Sequence, residues 1–345
     1  MTDPGRYHRQ LILQGIGDEA QRRLGAARVL VVGCGALGSV AAESLARAGV
    51  GNLRIVDRDV VELTNLQRQV LFDEADAAAG LPKAEAARRH LGRINSEIEV
   101  EAVVADFTSA NALRLASGCD LLLDGTDNFE TRFLLNDLAV KLELPYVYGG
   151  AVAARGMVYV VIPGDGPCLR CLFEKAPPPG LTETCDTVGV LGPACGVVAH
   201  LQAAEAIKWL SGNRGAVSRR LTSVDLWSSR FRTMETADAA DAACPCCRGK
   251  RFDYLDAEGG APAVRFCGRH AVQVSAEAAN VDLEPVARRL AAHGPVQRND
   301  FLMRGKLQDA GRPFELTLFA DGRAVIRGTD DPAVARSLYA RYVGA

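Results

Sequence analysis

Four cysteines in two pairs are the clearest chemical signature of this chain. Cys168 and Cys171 form one C-x-x-C pair, and Cys244 and Cys247 form a second pair much later in the sequence. Each pair can present two thiolates to one metal ion, and together they supply the Cys₄ set of a structural zinc site. A redox dithiol is the rival interpretation of each pair, but two pairs in one chain favour zinc. Cys246 lies inside the second pair, where the x-x spacing favours its neighbours as ligands.

A glycine motif earlier in the chain predicts a nucleotide site. Gly33, Gly35 and Gly38 form G-x-G-x-x-G between a short apolar run and a stretch of small residues. Such glycines allow a tight turn and a close approach of the backbone to phosphate oxygens, and a helix N-terminus favours negative charge. Asp57, at the end of the next apolar run, can accept hydrogen bonds from ribose hydroxyls. These residues alone favour an NAD-dependent oxidoreductase.

Three cations shift this preference towards a triphosphate. Arg68 lies in the run Asn-Leu-Gln-Arg-Gln, Lys83 follows Gly-Leu-Pro, and Arg9 lies close to the N-terminus. Arginine can bind phosphate oxygens through two hydrogen bonds, and lysine acts as a point charge. Each of these residues taken singly is more often a surface residue, so the prediction depends on the set.

A carboxylate follows the fourth predicted strand. Asp127 stands in Asp-Gly-Thr-Asp-Asn, at the carboxyl end of a strand, where ligands bind in open α/β sheets. Mg²⁺ in nucleotide sites takes one or two carboxylates together with substrate phosphates. Asp127 is therefore a magnesium candidate, and Asn128 can also serve as the N-cap of the helix that follows.

The elements that must position these residues alternate between strand and helix. This alternation predicts an open, doubly wound, mostly parallel α/β sheet of the Rossmann type. The predicted elements are a helix over 6–24, strands at 28–32, 53–57, 98–104, 120–124 and 146–148, and helices over 39–48, 83–90 and 129–142.

The pattern changes after residue 150. The segment 156–163 reads as an edge element, a helix is expected over 194–210, and strands at 221–226 and 231–233 complete an antiparallel extension. Residues 174–192 are rich in Pro, Gly and Thr, which predicts a mobile surface loop around Cys185. From 253 a small α+β module is expected, with a strand at 272–274, helices over 283–293 and 332–342, and a hairpin turn at Asp321-Gly322. The predicted domains are 1–252 and 253–345.

Composition narrows the function classes. The 345 residues carry a net charge of −2, so there is no electrostatic sign of a nucleic-acid or membrane partner. We find no apolar run of membrane-spanning length and no signal sequence at the N-terminus. Ten cysteines without an export signal suggest a reducing, cytoplasmic location.

Taken together, the motifs resemble those of the MoeB/ThiF-type adenylyltransferases, which activate ubiquitin-like sulfur carriers in molybdopterin and thiamine biosynthesis and are relatives of the ubiquitin-activating enzymes. The matching motifs are RYHRQ (6–10), GCGALG (33–38), Asp57 with Asp59, NLQRQ (65–69), GLPK (80–83), GTDN (125–128) with Thr131-Arg132, CLRC (168–171) and CPCC (244–247).

The resemblance implies an activity: ATP- and Mg²⁺-dependent adenylation of the C-terminal Gly-Gly carboxylate of a small β-grasp sulfur carrier protein. Acyl-adenylate and pyrophosphate would be the products, as a step in sulfur transfer for thiamine, molybdopterin or a related pathway. Arg9 would come from the partner subunit of a homodimer. The implied ATP-site residues are Gly33, Gly35, Gly38, Asp57, Asp59, Asn65, Gln67, Arg68, Lys83, Asp127 and Asn128.

Two parts of the chain have roles that vary among such enzymes. In some members a cysteine in the position of Cys185 is a thiol nucleophile, although the nearby Glu183 and Asp186 would raise its pKa. In others sulfur arrives from a separate donor, a cysteine desulfurase or a rhodanese. Residues 253–345 lack a rhodanese active loop and are interpreted as support for carrier docking or for the dimer. The alternatives are an NAD-dependent oxidoreductase, a non-catalytic nucleotide-binding scaffold, and adenylation of a small molecule or peptide.

Overall fold

The chain folds into two compact units, Met1–Gly259 and Gly260–Ala345. A computed structural model describes residues 4–173, 185–257, 263–266, 270–274, 281–309 and 311–344. The division falls later than the predicted boundary at residue 252, because Phe252 and Leu255 are buried in the core of the first unit.

An eight-stranded sheet forms the centre of the first unit. Its strands are β1 (Arg28–Val32), β2 (Asn52–Asp57), β3 (Glu99–Val104), β4 (Leu121–Asp124), β5 (Tyr146–Val152), β6 (Arg155–Val161), β7 (Arg220–Asp225) and β8 (Arg230–Glu235). The order is β3-β2-β1-β4-β5-β6-β7-β8. Pairing is parallel from β3 to β5 and antiparallel from β5 to β8. The predicted Rossmann-type sheet with an antiparallel extension is confirmed.

Helices cover both faces of this sheet. They are α1 (Pro4–Leu11), α2 (Gly17–Ala26), α3 (Gly38–Arg47), α4 (Glu74–Ala79), α5 (Lys83–Ile94), α6 (Ser109–Ala116), α7 (Phe129–Leu142), α8 (Leu169–Leu172), α9 (Cys185–Val188) and α10 (Gly192–Leu210). Side chains alternate along β1, so that Val29 and Val31 enter the core with α3, α5 and α10, whereas Leu30 and Val32 enter the core with α6 and α7. This two-sided burial explains why the central strands are continuous apolar runs.

Two predicted elements differ from the structure, and two short helices were not predicted. The helix over 6–24 is two helices, because Gly15 and Gly17 have φ values of 94° and 60° and interrupt it. The segment 156–163 is wrong as an edge element, since β6 lies between β5 and β7 and the edge is β8. The short helices α4 and α6 were absent from the prediction, because each spans too few residues to show a clear helical period.

The second unit is an antiparallel sheet with two helices. Its elements are β9 (Ala263–Phe266), β10 (Ala271–Val274), α11 (Leu283–Ala291), β11 (Val296–Arg298), β12 (Leu302–Asp309), β13 (Arg312–Phe319), β14 (Ala324–Arg327) and α12 (Pro332–Tyr342), with strand order β11-β12-β13-β14-β10-β9. The predicted hairpin turn at Asp321-Gly322 joins β13 to β14, and the α+β class is confirmed. Across the described ranges, no helix is both long enough and apolar enough to cross a bilayer.

Candidate functional site

The glycine loop after β1 is held tightly against the end of β4. A Cβ atom on Gly33, where φ is +85°, would lie 2.6 Å from the Gly125 oxygen, and one on Gly38 would lie 1.9 Å from the Gly33 oxygen. A Cβ on Gly35 would have no closer neighbour than Gln69 Nε2 at 3.8 Å. Gly33 and Gly38 are therefore required by packing, whereas Gly35 leaves the loop surface bare, as close approach of a phosphate requires.

Asp57 organises this loop from the end of β2. Its Oδ2 accepts a hydrogen bond from the Cys34 amide at 2.7 Å, and its Oδ1 accepts one from the Asp59 amide at 2.7 Å. Burial raises the pKa of Asp57, and the positive charge of Lys83 opposes that rise. Each carboxylate oxygen retains a lone pair, so Asp57 can hold the loop and still accept from a ribose hydroxyl.

Lys83 belongs to the same cluster. It is buried at the first position of α5, and its Nζ lies 3.1 Å from Asp59 Oδ2. The Lys83 amide also donates to the Asp59 carbonyl at 2.9 Å. The structure thus brings Asp57, Asp59 and Lys83 together beside the glycine loop.

A 3₁₀ turn over Leu63–Asn65 ends at the first residue of the NLQRQ run. Asn65 is buried, and its Oδ1 accepts from the Glu62 amide at 3.1 Å, so it shapes the turn. Gln67 is exposed, and Arg68 is partly exposed with Nη1 donating to the Thr64 carbonyl at 2.9 Å. These two side chains lie at the surface, where a ligand can reach them.

The prediction overlooked Gln69, the last residue of this run. It is 3% exposed, its Nε2 is the nearest side-chain atom to a Cβ built on Gly35, and its Oε1 has no hydrogen-bond partner. A buried amide oxygen without a partner is costly, and a ligand on the glycine loop can satisfy it. Position beside the other motif residues was the only sequence signal for Gln69.

At the end of β4 the chain turns into α7. Asn128 caps this helix, because its side chain accepts from the Thr131 amide at 2.9 Å. Asp127 is exposed, and no group of three metal-ligating side chains in the described part of the chain includes it. A cation there would need phosphate and water ligands besides this carboxylate, which is the usual arrangement for Mg²⁺ with a nucleotide.

A buried arginine supports the same turn. Arg132 donates through Nη2 to the Thr126 carbonyl at 2.9 Å, and its Nε lies 3.5 Å from Asp124 Oδ2. Its guanidinium also lies over the ring of Tyr148, 5.5 Å from the centroid. Arg132 therefore fixes the backbone that presents Asp127, a contribution that the motif alone did not reveal.

Arg9 lies far from this cluster within one chain. It is exposed on α1, where the neighbouring Gln10 donates to the Ala48 carbonyl at 2.9 Å. Ala48 lies at the C-terminal end of α3, whereas the glycine loop lies at its N-terminal end. Ten helical residues separate the two ends by about 15 Å.

Just after Cys185 the chain packs against the carboxyl end of β5, the end of the sheet at which the glycine loop lies. Residues 174–184 and the Cys185 side chain lie outside the described residues, but α9 begins at Cys185. Ala153, in the turn between β5 and β6, donates to the Gly189 carbonyl at 3.1 Å and accepts from the Leu191 amide at 2.8 Å. A Cβ on Gly192 would lie 2.9 Å from the Gln67 carbonyl oxygen. The segment that follows Cys185 is therefore anchored between the NLQRQ run and the β5–β6 turn.

The four predicted zinc ligands form a separate cluster. The Sγ–Sγ distances are 4.0 Å for Cys168–Cys171, 3.7 Å for Cys168–Cys244 and 3.6 Å for Cys171–Cys247. A tetrahedron with Zn–S bonds of about 2.3 Å has edges of about 3.8 Å. The four thiols fit one tetrahedral ion, and they join the start of α8 to the segment after β8.

Comparison with known proteins is consistent with this geometry. The model of the ThiF family matches residues 7–246. The chain is 41% identical over 342 residues to the sulfur carrier protein ThiS adenylyltransferase of Bacillus subtilis, covering 99% of both chains. It is 42% identical to the sulfur carrier protein adenylyltransferase of Thermus thermophilus, covering 70% of this chain and 90% of that protein.

Two further matches differ in what they cover. The adenylyltransferase and sulfurtransferase MOCS3 of Anopheles gambiae is 42% identical, and this chain spans only 62% of its length. A crystal structure of E. coli MccB with MccA-N7isoASN has a TM-score of 0.62 at 24% identity, covers 72% of this chain and 75% of that one, and shows the fold alone. From the family match over residues 7–246 and the full-length relative, the chain belongs to the ThiF family.

Proposed function

We propose that this protein uses ATP and Mg²⁺ to adenylate the C-terminal Gly-Gly carboxylate of a ubiquitin-like sulfur carrier protein. The observation that carries the proposal is the cluster of Asp57, Asp59 and Lys83 beside a glycine loop whose surface is bare at Gly35. The relative of equal length in Bacillus subtilis is named for adenylation of the carrier ThiS. Thiamine, molybdopterin or a related sulfur-transfer pathway would use the product.

The reaction needs no general base. The carrier carboxylate is ionised at neutral pH, so its oxygen attacks the α-phosphorus directly, and the bond from that phosphorus to the bridging oxygen of pyrophosphate breaks. The chain's task is to align the two substrates and to neutralise charge on the phosphates. Lys83 and Arg68 supply positive charge, and Gln67 and Gln69 supply amide groups beside the loop.

Asp127 is the proposed magnesium ligand. When bound, Mg²⁺ would neutralise phosphate charge and orient the leaving pyrophosphate. Asn128 and Arg132 hold the backbone on either side of this carboxylate, through the helix cap and the Thr126 carbonyl. The carboxylate is therefore presented from a turn that is held on both sides, as a site that positions charge requires.

We assign Arg9 to the site of the partner subunit in a homodimer. About 15 Å of α3 separates α1 from the glycine loop of the same chain. An exposed arginine at that distance can reach a triphosphate only across a subunit interface, where it would stabilise charge as the in-trans arginines of GTPases do.

The carrier's folded part would contact the hairpin between β7 and β8. This hairpin lies at the same end of the strands as the carboxyl ends of β1, β4 and β5, because Asp225 pairs with Arg155 next to the β5–β6 turn. Trp227 there is 85% exposed and Phe231 is 61% exposed. Four strand spacings, about 19 Å, separate β7 from β1, and about six extended residues of a carrier tail span that distance.

Cys185 is a proposed thiol nucleophile on the acyl-adenylate. Support comes from the anchoring of the segment after it between the NLQRQ run and Ala153. Its attack on the acyl carbon would release AMP and leave a thioester. Incubation with carrier and ATP followed by a non-reducing gel should show an adduct that a thiol reagent removes. Its absence, with normal adenylation, would assign sulfur delivery to a donor in trans, a cysteine desulfurase or a rhodanese.

The Cys₄ cluster is proposed as a structural zinc site, and the second unit as a support for carrier docking or for the dimer. Truncation of the second unit should follow Gly259 rather than the predicted boundary at residue 252, because Phe252 and Leu255 belong to the core of the first unit. An unchanged carrier dependence in that truncated protein would remove the docking role. We place the protein in the cytoplasm.

The function is tested with carrier and ATP labelled at the α-phosphate. Label should appear on the carrier in a form that hydroxylamine releases as AMP with formation of a carrier hydroxamate. A carrier without its terminal glycines is the control. Label transfer to a short peptide but to no carrier would favour peptide adenylation, and reduction of NAD without label transfer would favour an oxidoreductase.

A further inference from the structure

One buried side chain touches both halves of the cysteine cluster. Asn136, on α7, is fully buried. Its Oδ1 accepts a hydrogen bond from the Leu169 amide at 2.7 Å, and its Nδ2 donates to Cys246 Sγ at 3.3 Å. Leu169 lies between the ligands of the first C-x-x-C pair, and Cys246 lies between those of the second. A single amide therefore links the two pairs without any metal.

The next residue of α7 extends this link. Asp137 is also fully buried, and its Oδ2 accepts from the Tyr254 amide at 2.9 Å. Tyr254 follows the second cysteine pair, and its ring lies 5.1 Å from that of Phe133 on α7. The segment that carries Cys244 and Cys247 is thus fixed to α7 at two points, within the second pair at Cys246 and after it at Tyr254.

We propose that Asn136 is the positioning residue of the Cys₄ cluster, hereafter the clamp. In this proposal, Asn136 holds the two cysteine pairs at ligand spacing before the metal ion binds. The inference rests on the proposed zinc site. Residues that orient metal ligands by hydrogen bonds typically change metal affinity by roughly 10- to 100-fold when they are removed. Because Asn136 lies eight residues, about 12 Å, along the helix from Asn128, the clamp and the nucleotide site share one rigid element.

The test is a competition titration of zinc against a chromophoric chelator, on the full chain. Asn136→Ala should weaken zinc binding by roughly 10- to 100-fold. Asn95→Ala is the matched control. Asn95 is also buried, and its Nδ2 donates to Tyr7 Oη at 2.9 Å and to the Ala46 carbonyl at 2.7 Å, away from the cysteines. The control should lose thermal stability and keep its zinc affinity.

Two substitutions of Cys246 test the second contact, and they replace the first test if Asn136→Ala does not fold. Cys246→Ala removes the acceptor of Asn136 Nδ2 and should weaken zinc binding, by less than the loss of both contacts. Cys246→Ser keeps an acceptor and should bind zinc nearly as the natural protein does.

Each outcome separates the inference from the zinc proposal. If the natural protein binds no zinc, the clamp itself is wrong and the inference falls with it. If it binds zinc and Asn136→Ala keeps the same affinity as Asn95→Ala, only the role of Asn136 is overturned. Loss of zinc in Cys246→Ser would make Cys246 a ligand and would equally overturn the role of Asn136.

Discussion

The nucleotide end of the sheet and the cysteine clamp are built in opposite ways. At the glycine loop, two buried polar atoms remain without a hydrogen-bond partner, namely Ser39 Oγ and Gln69 Oε1. At the clamp, the four thiols lie within 4.8 Å of one another, with three Sγ–Sγ distances of 3.6 to 4.0 Å, and both ends of the Asn136 amide are used. Buried polar atoms without a hydrogen-bond partner suit a ligand that binds and is released, whereas a complete set of four ligands suits a permanently bound structural ion. The nucleotide end is therefore expected to carry the chemistry, and the cysteine clamp to stabilise the same domain.

The largest effect should come from Asp127. Asp127→Ala removes the proposed magnesium ligand, so ATP–pyrophosphate exchange with carrier should fall at least about 1,000-fold, a barrier increase of about 4 kcal/mol. Zinc content and thermal stability should stay unchanged, because Asp127 is exposed and Asn128 still caps α7. Retained exchange would remove Asp127 from the site, and lost zinc would mean that the two regions are not separate.

The converse change is Cys171→Ser. It leaves three thiols and should release zinc, with a loss of about 3 kcal/mol or more in the free energy of unfolding. The protein that remains folded at low temperature should still bind ATP, because Cys168 and Cys244 are buried in the core with α6 and α7, whereas Cys34 and Leu37 of the glycine loop are buried in the other core. Zinc analysis, thermal unfolding and ATP titration measure the three quantities. If the folded variant failed to bind ATP, the nucleotide site and the cysteine clamp would not be functionally separate.

A third prediction concerns the partner subunit. Arg9→Ala should lower exchange by about 100-fold, comparable to the loss of one charge-stabilising donor. Mixing this variant with Asp127→Ala should restore part of the activity, because one site of the mixed dimer then contains both residues. A mixture of Lys83→Ala with Asp127→Ala is the negative control. Lys83 and Asp127 belong to the nucleotide end of the same chain, so neither site of that mixed dimer contains both residues, and no activity should return. If the Arg9→Ala mixture shows no recovery, Arg9 acts within its own chain or not at all.

The smallest effect should be that of Trp227→Ala. Loss of an exposed aromatic contact should raise the KM for the carrier by about tenfold, equivalent to about 1.4 kcal/mol, with the KM for ATP unchanged. Leu142→Ala, at an exposed apolar side chain on α7, serves as the control. Equal effects of the two substitutions would remove the β7–β8 hairpin as the docking surface.

The sequence predicted the parallel core because burial on both faces makes β1 and β4 nearly continuous apolar runs, as in Val29 to Val32. It also predicted the cluster at Asp57 and Lys83, because each residue follows a recognisable strand or turn. It did not predict the contacts of Asn136 or Gln69. Their roles depend on which distant backbone groups meet them, and no local period or spacing records that.

The strand order beyond β5 was also hidden. Gly156 allows the close packing of Val198 on α10, since a Cβ there would lie 2.3 Å from Val198 Cγ2, and this covers β6 in the middle of the sheet. A short strand that contains a glycine is equally typical of the edge of a sheet. The position of β6 was settled only by pairing with β7, a strand about sixty residues later in the chain.

Carrier-dependent ATP–pyrophosphate exchange tests the central claim most directly. The account predicts exchange only when ATP, Mg²⁺ and a carrier with an intact terminal Gly-Gly carboxylate are all present. It also predicts that zinc removal at low temperature leaves residual exchange in the folded protein. Exchange that is independent of the carrier, or that is undiminished by deletion of its terminal glycines, would contradict the account.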